Sequence, residues 1–212
     1  MSDPSVPPKP QLHWDGPQSA NPTIVLAHGA GAGSDSDFMQ AMAALLSERG
    51  LRVGRFDFPY MQRQKATGRK RPPDPEPVLR EAWKQVLASV PQRPLLIGGK
   101  SLGGRIASLV AAAADVTGVA CLGYPFHPPG KPERLRTEHL QSMRMPTLIV
   151  QGERDPFGTF EQVQQYTLSP AVRVIWLPDG DHSFRPRKAS GVSLQENLTA
   201  AADAVARFAA SL

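Results

Sequence analysis

The chain has 212 residues, 41% hydrophobic and 20% charged, which gives length for one domain with a substantial core and the balance of a soluble globular protein. A single cysteine, Cys121, excludes an internal disulfide and an all-cysteine metal site, and its apolar setting marks it as core filler. The net charge of +5 would suit a nucleic-acid binder, but the excess is concentrated in residues 63–71 with no aromatic residue interleaved, so no nucleic-acid partner is expected.

No run of about 18 apolar residues occurs, and the N-terminal stretch has no apolar h-region. The expectation is a cytoplasmic protein with no membrane partner. Residues 1–21 read as a flexible tail in which residues 11–14 add an edge strand, and residues 22–212 read as the folded domain. The 22 prolines fall mainly in that tail and between apolar runs, which is loop chemistry.

Residues 23–27 (TIVLA) are a short β-branched run suited to a buried parallel strand. They lead into His28-Gly29-Ala30-Gly31-Ala32-Gly33. A dinucleotide fingerprint would require a third glycine where Ser34 or Ser36 stands, so it fails in both frames. A helix follows, with Ser34 or Asp35 as N-cap, Phe38, Met42, Leu45 and Leu46 on one face, and Gly50 at its C-terminal end. Residues 51–58 read as a strand, residues 60–77 as a long, basic, proline-rich loop, and residues 77–90 as a helix with Leu79, Ala82, Val86 and Val90 inward.

The apolar run at Leu95-Leu96-Ile97 ends in Gly98-Gly99-Lys100-Ser101-Leu102-Gly103-Gly104, and a helix begins near Leu102. Gly99 to Gly103 fits G-x-S-x-G, the strand-to-helix elbow that lifts a serine hydroxyl above a sheet. Flanking glycines are needed there because side chains would collide with the incoming strand or outgoing helix. The bland reading is an ordinary turn with an incidental serine. A phosphate loop is rejected because Pro94 stands where a Walker A glycine is required.

Residues 116–122 form the next expected strand, ended by Gly123-Tyr124-Pro125. After a loop at residues 128–132 and a short helix at 135–143, residues 147–151 (TLIVQ) are a strand leading to Asp155-Pro156. A short helix at 160–166 precedes the last strand, residues 172–177, and Gly180-Asp181-His182 follows it directly. A capping box of Ser193 and Glu196 opens the closing helix, with Leu194, Leu198, Ala201, Val205, Phe208 and Leu212 inward.

Alternating strands and helices with apolar strands throughout imply an α/β fold with a doubly wound, mostly parallel sheet, without internal repeat or second domain. Chemistry in such sheets gathers at the carboxyl ends of the strands. His28, Ser101, Asp155 and His182 each follow a strand and so should share one rim. A serine hydroxyl needs a base, and the base an orienting carboxylate. The order Ser101, Asp155, His182 is that of the nucleophile, acid and base of α/β-hydrolases. Asp181 is the competing acid, disfavoured because adjacent side chains rarely align for a straight bond to Nδ1. His13 and His139 follow no strand, and His127 stands in the wrong order for a base. Oxyanion donors would be the amides of Leu102 and of Ala30, with Gly31 the alternative. His28 reads as a hydrogen-bonding support of its loop, beside a shallow substrate pocket that His28, Gly31, Tyr60, Tyr124 and Phe126 are expected to wall. The bases Arg63, Lys65, Arg69, Lys70 and Arg71 read either as a solvated surface or as a device steering an anionic substrate.

With HGAGAGSDSDFM, GGKSLGGRIAS, GYPFHPPGKPE, PTLIVQGERDPFG and GDHSF in place, the chain from residue 23 onward resembles the small lid-less α/β-hydrolases of the dienelactone-hydrolase-like branch. It is most similar to the bacterial relatives of the testis-expressed and non-specific-lethal-complex subunit family. The resemblance implies a single-domain α/β-hydrolase fold without a cap domain and a hydrolase activity. Dienelactone hydrolases proper use a cysteine nucleophile, so with Ser101 in that place their lactone-opening chemistry is not carried over. The expected function is a carboxylesterase or thioesterase acting on a small acyl ester or thioester, with no metal or organic cofactor. The alternative, suggested by larger eukaryotic relatives that are complex subunits, is a non-catalytic binding or scaffold protein.

Overall fold

The computed structural model describes residues 10–91 and 94–212. Residues 1–9 of the expected tail lie outside the described residues. Seven strands form one sheet: β1 (Leu12–Asp15), β2 (Thr23–Ala27), β3 (Arg52–Phe56), β4 (Leu95–Lys100), β5 (Gly118–Leu122), β6 (Thr147–Gly152) and β7 (Val172–Leu177). Their order is β1-β3-β2-β4-β5-β6-β7. Only β1 runs antiparallel, against β3, and every other neighbour pair is parallel. From β2 the chain steps outward to β3, then crosses to β4 on the other side. The carboxyl ends of β2 and β4 therefore flank the switch point of the sheet, where a crevice opens between diverging connections.

The sheet is covered on both faces because its strands alternate. Ile24, Leu26, Leu96 and Val150 pack with Met42 of α1 (Asp37–Glu48) and Val205 of α7 (Leu194–Ala210). Their neighbours Val25, Ala27, Ile97 and Ile149 point the other way, toward Trp83 of α3 (Glu76–Ala88) and Ile106 of α4 (Leu102–Val110). The period-two alternation that puts successive residues on opposite faces thus builds two cores from one sheet. Connections are lean. The helices α5 (Glu138–Gln141) and α6 (Phe160–Val163) have four residues each, and no separate cap is built among the described residues.

Several expectations shift. The stretch expected to be loop from residue 60 to 77 begins as a helix, α2 (Pro59–Thr67). Pro59 sets its first turn, Tyr60 and Met61 bury it, and Gly68 ends it in the left-handed region at φ 67°. Only residues 68–75 are loop. The N-cap position of α1 is Ser36 rather than Ser34 or Asp35, with the Ser36 carbonyl accepting from the Gln40 amide at 2.9 Å and no side-chain cap bond, while the Ser34 amide donates to the Asp57 carboxylate at 2.7 Å. Its buried face is Met39, Met42, Ala43 and Leu46, so Phe38 and Leu45 sit at the flank. Trp83, absent from the expected inward face of α3, is fully buried there. The capping box of Ser193 and Glu196 forms as expected, whereas Leu212 stays 45% exposed.

The turn into α4 leaves no room for side chains. A Cβ on Gly103 would collide with the carbonyl oxygen of Ala27, whereas one on Gly31 would meet nothing within 4 Å. Gly103→Ala is expected to lower the unfolding free energy by about 1–3 kcal/mol, as overpacking does, and Gly31→Ala to leave it nearly unchanged. Urea titration of the two variants checks the contrast.

Candidate active site

The elbow has the geometry its glycines allow. Ser101 lies between β4 and α4 at φ 51°, ψ −114°, a region costly for a residue with a Cβ. Its amide donates to the Leu122 carbonyl at 3.0 Å and its carbonyl accepts from the Arg105 amide at 3.0 Å, so both neighbouring elements hold the apex. Leu102 is the first residue of α4, and its N–H has no partner one turn back within the helix.

Two other loops meet this edge. Asp155 lies beyond β6, fully buried, and its Oδ2 is 2.7 Å from Nδ1 of His182, beyond β7. The same oxygen accepts from Nε2 of Gln151 at 2.9 Å, and Oδ1 accepts from the Phe157 amide at 2.9 Å. The carboxylate is therefore kept in place by three donors, one of them the imidazole. The Phe157 ring packs on the His182 ring with centroids 4.3 Å apart. Asp181 is occupied elsewhere, since its Oδ1 accepts from the amides of Ser183 and Arg185 at 2.7 and 3.0 Å and tightens the turn. A Cβ on Gly29 would lie 3.7 Å from Cβ of Ser101, and one on Gly123 would lie 3.3 Å from Nδ1 of His182. The Gly29 contact is ordinary van der Waals packing, whereas at Gly123 a side chain would crowd the imidazole loop.

The loop after β2 is held from below. His28 is fully buried, and its Nε2 accepts from the Phe58 amide at 3.0 Å, so the ring proton sits on Nδ1 and is given to the Gly29 carbonyl at 2.6 Å. Burial keeps this imidazole neutral by lowering its pKa, against the pull of the Gly29 bond and of Asp57. The Tyr60 hydroxyl lies within donating distance of the carbonyls of both Gly29 and Ala30, at 3.2 and 3.1 Å. Carbonyl and following N–H point in opposite directions across a trans peptide. Drawing these two carbonyls toward Tyr60 turns the amides of Ala30 and Gly31 away from it.

The expected pocket wall requires correction. Tyr60, Tyr124, Phe126 and His28 are all at 0% exposure and offer no surface to a ligand. Tyr60 and His28 support the loop, and the Tyr124 hydroxyl is spent on the Arg136 carbonyl at 2.9 Å. Gly31 alone of the five is exposed. The basic cluster is also reduced. Arg63 pairs with Asp74, and Lys65 bridges Asp35 and Asp57 at 2.8 and 2.6 Å, leaving Arg69, Lys70 and Arg71 on the exposed loop. Cys121 is buried with its thiol pushed up to about 12 by burial, the state of an inert core residue.

Two residues of this region have roles that the motifs around them do not specify. Gln151 is a fully buried polar residue near the end of an otherwise apolar strand, and it binds Asp155, the Tyr124 amide and carbonyl, and the Gly158 carbonyl. Its signal was its polarity in a run of TLIV. Lys100 is likewise buried, and its ammonium donates to the His182 carbonyl. Elsewhere, Ser108 Oγ lies 2.9 Å from Nε2 of His139. Ser108 gives its proton to the Arg105 carbonyl at 2.7 Å, so His139 must be the donor, and among the described residues no carboxylate is hydrogen-bonded to that ring. It is a helix-side contact with no base in it. Among the described residues, no group of three or more His, Cys, Asp or Glu is placed to hold a metal ion, and no helix is long and apolar enough to cross a membrane.

A family model described as alpha/beta hydrolase domain matches residues 20–210. The chain belongs to the alpha/beta hydrolase domain family. Solved structures similar to it include a serine hydrolase homologue from Coxiella burnetii, with TM-score 0.69 and 22% identity over 92% of this chain and 89% of that one. A dienelactone hydrolase from Anabaena variabilis matches with TM-score 0.68 and 20% identity over 94% and 97% of the two chains. A serine hydrolase without lid from Xanthomonas campestris matches with TM-score 0.66 and 19% identity over 93% and 88%. At such identities these likenesses bear on the alpha/beta hydrolase fold alone.

The strain at the elbow of this alpha/beta hydrolase domain is measurable. Ser101→Gly should relieve the positive φ and raise the unfolding free energy by about 1–3 kcal/mol, whereas Ser101→Ala, which keeps a Cβ, should raise it by much less. Thermal or denaturant unfolding of both variants checks the difference.

Proposed function

We propose that this protein is a serine hydrolase, a carboxylesterase or thioesterase that cleaves a small acyl ester through an acyl-enzyme on Ser101. The observation that carries the reading is the 2.7 Å contact between His182 Nδ1 and a buried Asp155, reached from two separate loops at the edge where Ser101 stands at positive φ. A carboxylate on Nδ1 fixes the proton there and leaves Nε2 as the basic nitrogen.

In this mechanism Ser101 Oγ attacks the acyl carbonyl while Nε2 of His182 takes the hydroxyl proton. The tetrahedral oxyanion is received by the amides of Leu102 and Ala30, the first favoured by its place at the start of α4 and the second by the carbonyls that Tyr60 draws away. Collapse returns the proton from His182 to the departing alcohol or thiol, and water repeats the cycle on the acyl-enzyme. The imidazolium formed midway is stabilised by Asp155, whose other bonds keep it from turning away. On the same terms, kinship with the bacterial relatives of the testis-expressed and non-specific-lethal-complex subunit family is proposed.

The test is a panel of acyl esters and thioesters of graded chain length, assayed with native protein, Asp155→Asn and Asp181→Asn. Asp155→Asn should lower kcat by about 10⁴, as loss of a triad acid does, because the imidazole then takes the wrong tautomer. Asp181→Asn should cost far less, since that side chain is bonded to the Ser183 and Arg185 amides while Nδ1 of His182 faces Asp155. The reverse ranking refutes the acid assignment. No turnover of any member of the panel would replace this reading by that of a binding protein.

A further inference from the structure

Lys100 is the last residue of β4 and the immediate neighbour of Ser101, yet it is buried. The residue is 8% exposed, and its Nζ lies 5.0 Å from the ring centroid of Phe38 and 5.4 Å from that of Phe184. The two rings meet edge to face at 5.4 Å and form a cage around the ammonium. Phe184 is itself held at φ 67°, a conformation that a bulky aromatic residue adopts only when its surroundings demand it. From this cage the ammonium donates to the backbone carbonyl of His182. A Cβ on Gly123 would come within 2.7 Å of the same Nζ and 2.9 Å of the same carbonyl oxygen, so the contact also depends on a glycine.

An anchor of this kind is costly. Among the described residues Lys100 has no salt bridge, and the charged groups that act on it are Asp155 beyond β6 and Asp181 beyond β7, with the His182 carbonyl its bonded partner. Burial lowers its pKa to about 8, against the pull of those two carboxylates. An unfolded lysine holds its proton up to about 10.4, so between about 8 and that value the unfolded chain binds more protons. Stability contributed by this group therefore rises with pH across that window, and its cost is fully present below it. A purely structural role would be filled better by an apolar side chain.

We propose that Lys100 is a positioning residue: caged by Phe38 and Phe184, its ammonium grips the His182 carbonyl and holds the imidazole in register with the neighbouring Ser101. The proposal rests on the hydrolase reading above for its kinetic consequence, but not for its structural one. Lys100 joins the strand that carries the serine to the loop that carries the histidine, without passing through solvent or through Asp155. Loss of the grip would leave the His182–Asp155 pair intact and let the whole loop drift relative to Ser101. Proton transfer would suffer and substrate binding would not.

Lys100→Met, a linear apolar replacement, is the test. It should lower kcat by about 10- to 100-fold, the usual scale for a small misplacement of a reacting group, with KM little changed. Its thermal midpoint at pH 7 should rise, and the gain in stability of the native protein between about pH 8 and 10.4 should disappear. In amide NMR spectra of the native protein, the backbone signals of residues 181–184 should titrate near pH 8 with the discharge of Lys100, and in the variant they should not. Unchanged kcat overturns the proposal, and so does a fall in kcat that comes with a lower midpoint, because that is the mark of a structural residue. If the native protein hydrolyses nothing, the hydrolase reading fails by itself, and the titration of residues 181–184 still decides whether the anchor exists. Should Lys100→Met not fold, Phe38→Leu opens one face of the cage with the lysine in place. It should reduce kcat several-fold and shift the titration of the same amides upward as water reaches the ammonium, and no change in either contradicts the proposal.

Discussion

Between β4 and α4 the chain has room to reverse only because Gly99 and Gly103 present no Cβ to the backbone of Ala27 in the adjacent strand. That contact is a property of the parallel pairing of β2 with β4, which brings Ala27 level with Gly99. The same pairing delivers the loop after β2 to the same edge. Strain at Ser101, the first amide of α4 with no partner inside its helix, and the proximity of Gly29 thus have one origin, the close approach of two central strands at the switch point of the sheet.

Around this turn the protein buries polar side chains that a core would not choose. His28, Gln151 and Asp155 are at 0% exposure, and Lys100 at 8%. Each is satisfied by hydrogen bonds to loops at the carboxyl edge. Loops have few contacts of their own, and these groups supply the missing ones from beneath, which is how flexible connections hold side chains within a few tenths of an ångström. Tyr60 belongs to the same system, with its hydroxyl setting the peptide planes of Gly29 and Ala30. The edge is therefore rigid because of polar groups, while the two faces of the sheet are rigid because of apolar ones.

The sheet was legible because its strands are unbroken apolar runs and its helices are strongly periodic. The unbroken apolar runs of Thr23–Ala27 and Thr147–Gly152 and the helical period of Leu194–Ala210 leave little freedom. Helix α2 was not legible. It is short and mostly polar, so only Pro59 at its first position and Gly68 after it signal its limits. The positions of Ser101, Asp155 and His182 could be read because each follows a strand, and strand ends define the edge. What those residues rest on could not, because a buried lysine or tyrosine looks in sequence like an exposed one. Tyr60, Tyr124 and Phe126 follow or sit near strand ends and so suggested a pocket wall, yet they face inward as supports. Placement along the chain reveals which edge a residue occupies, and only packing reveals which way it points.

The central claim is that Ser101 is an activated nucleophile, and covalent labelling measures this without knowledge of the substrate. A fluorophosphonate reacts with a serine whose proton is taken by a base and whose oxyanion is received by backbone amides, and scarcely with an ordinary hydroxyl. The account predicts a single phosphonate adduct on native protein, mapped to Ser101 by peptide mass spectrometry and absent from Ser101→Ala. Labelling of native protein and Ser101→Ala to the same extent, or no labelling of folded native protein at all, would contradict it.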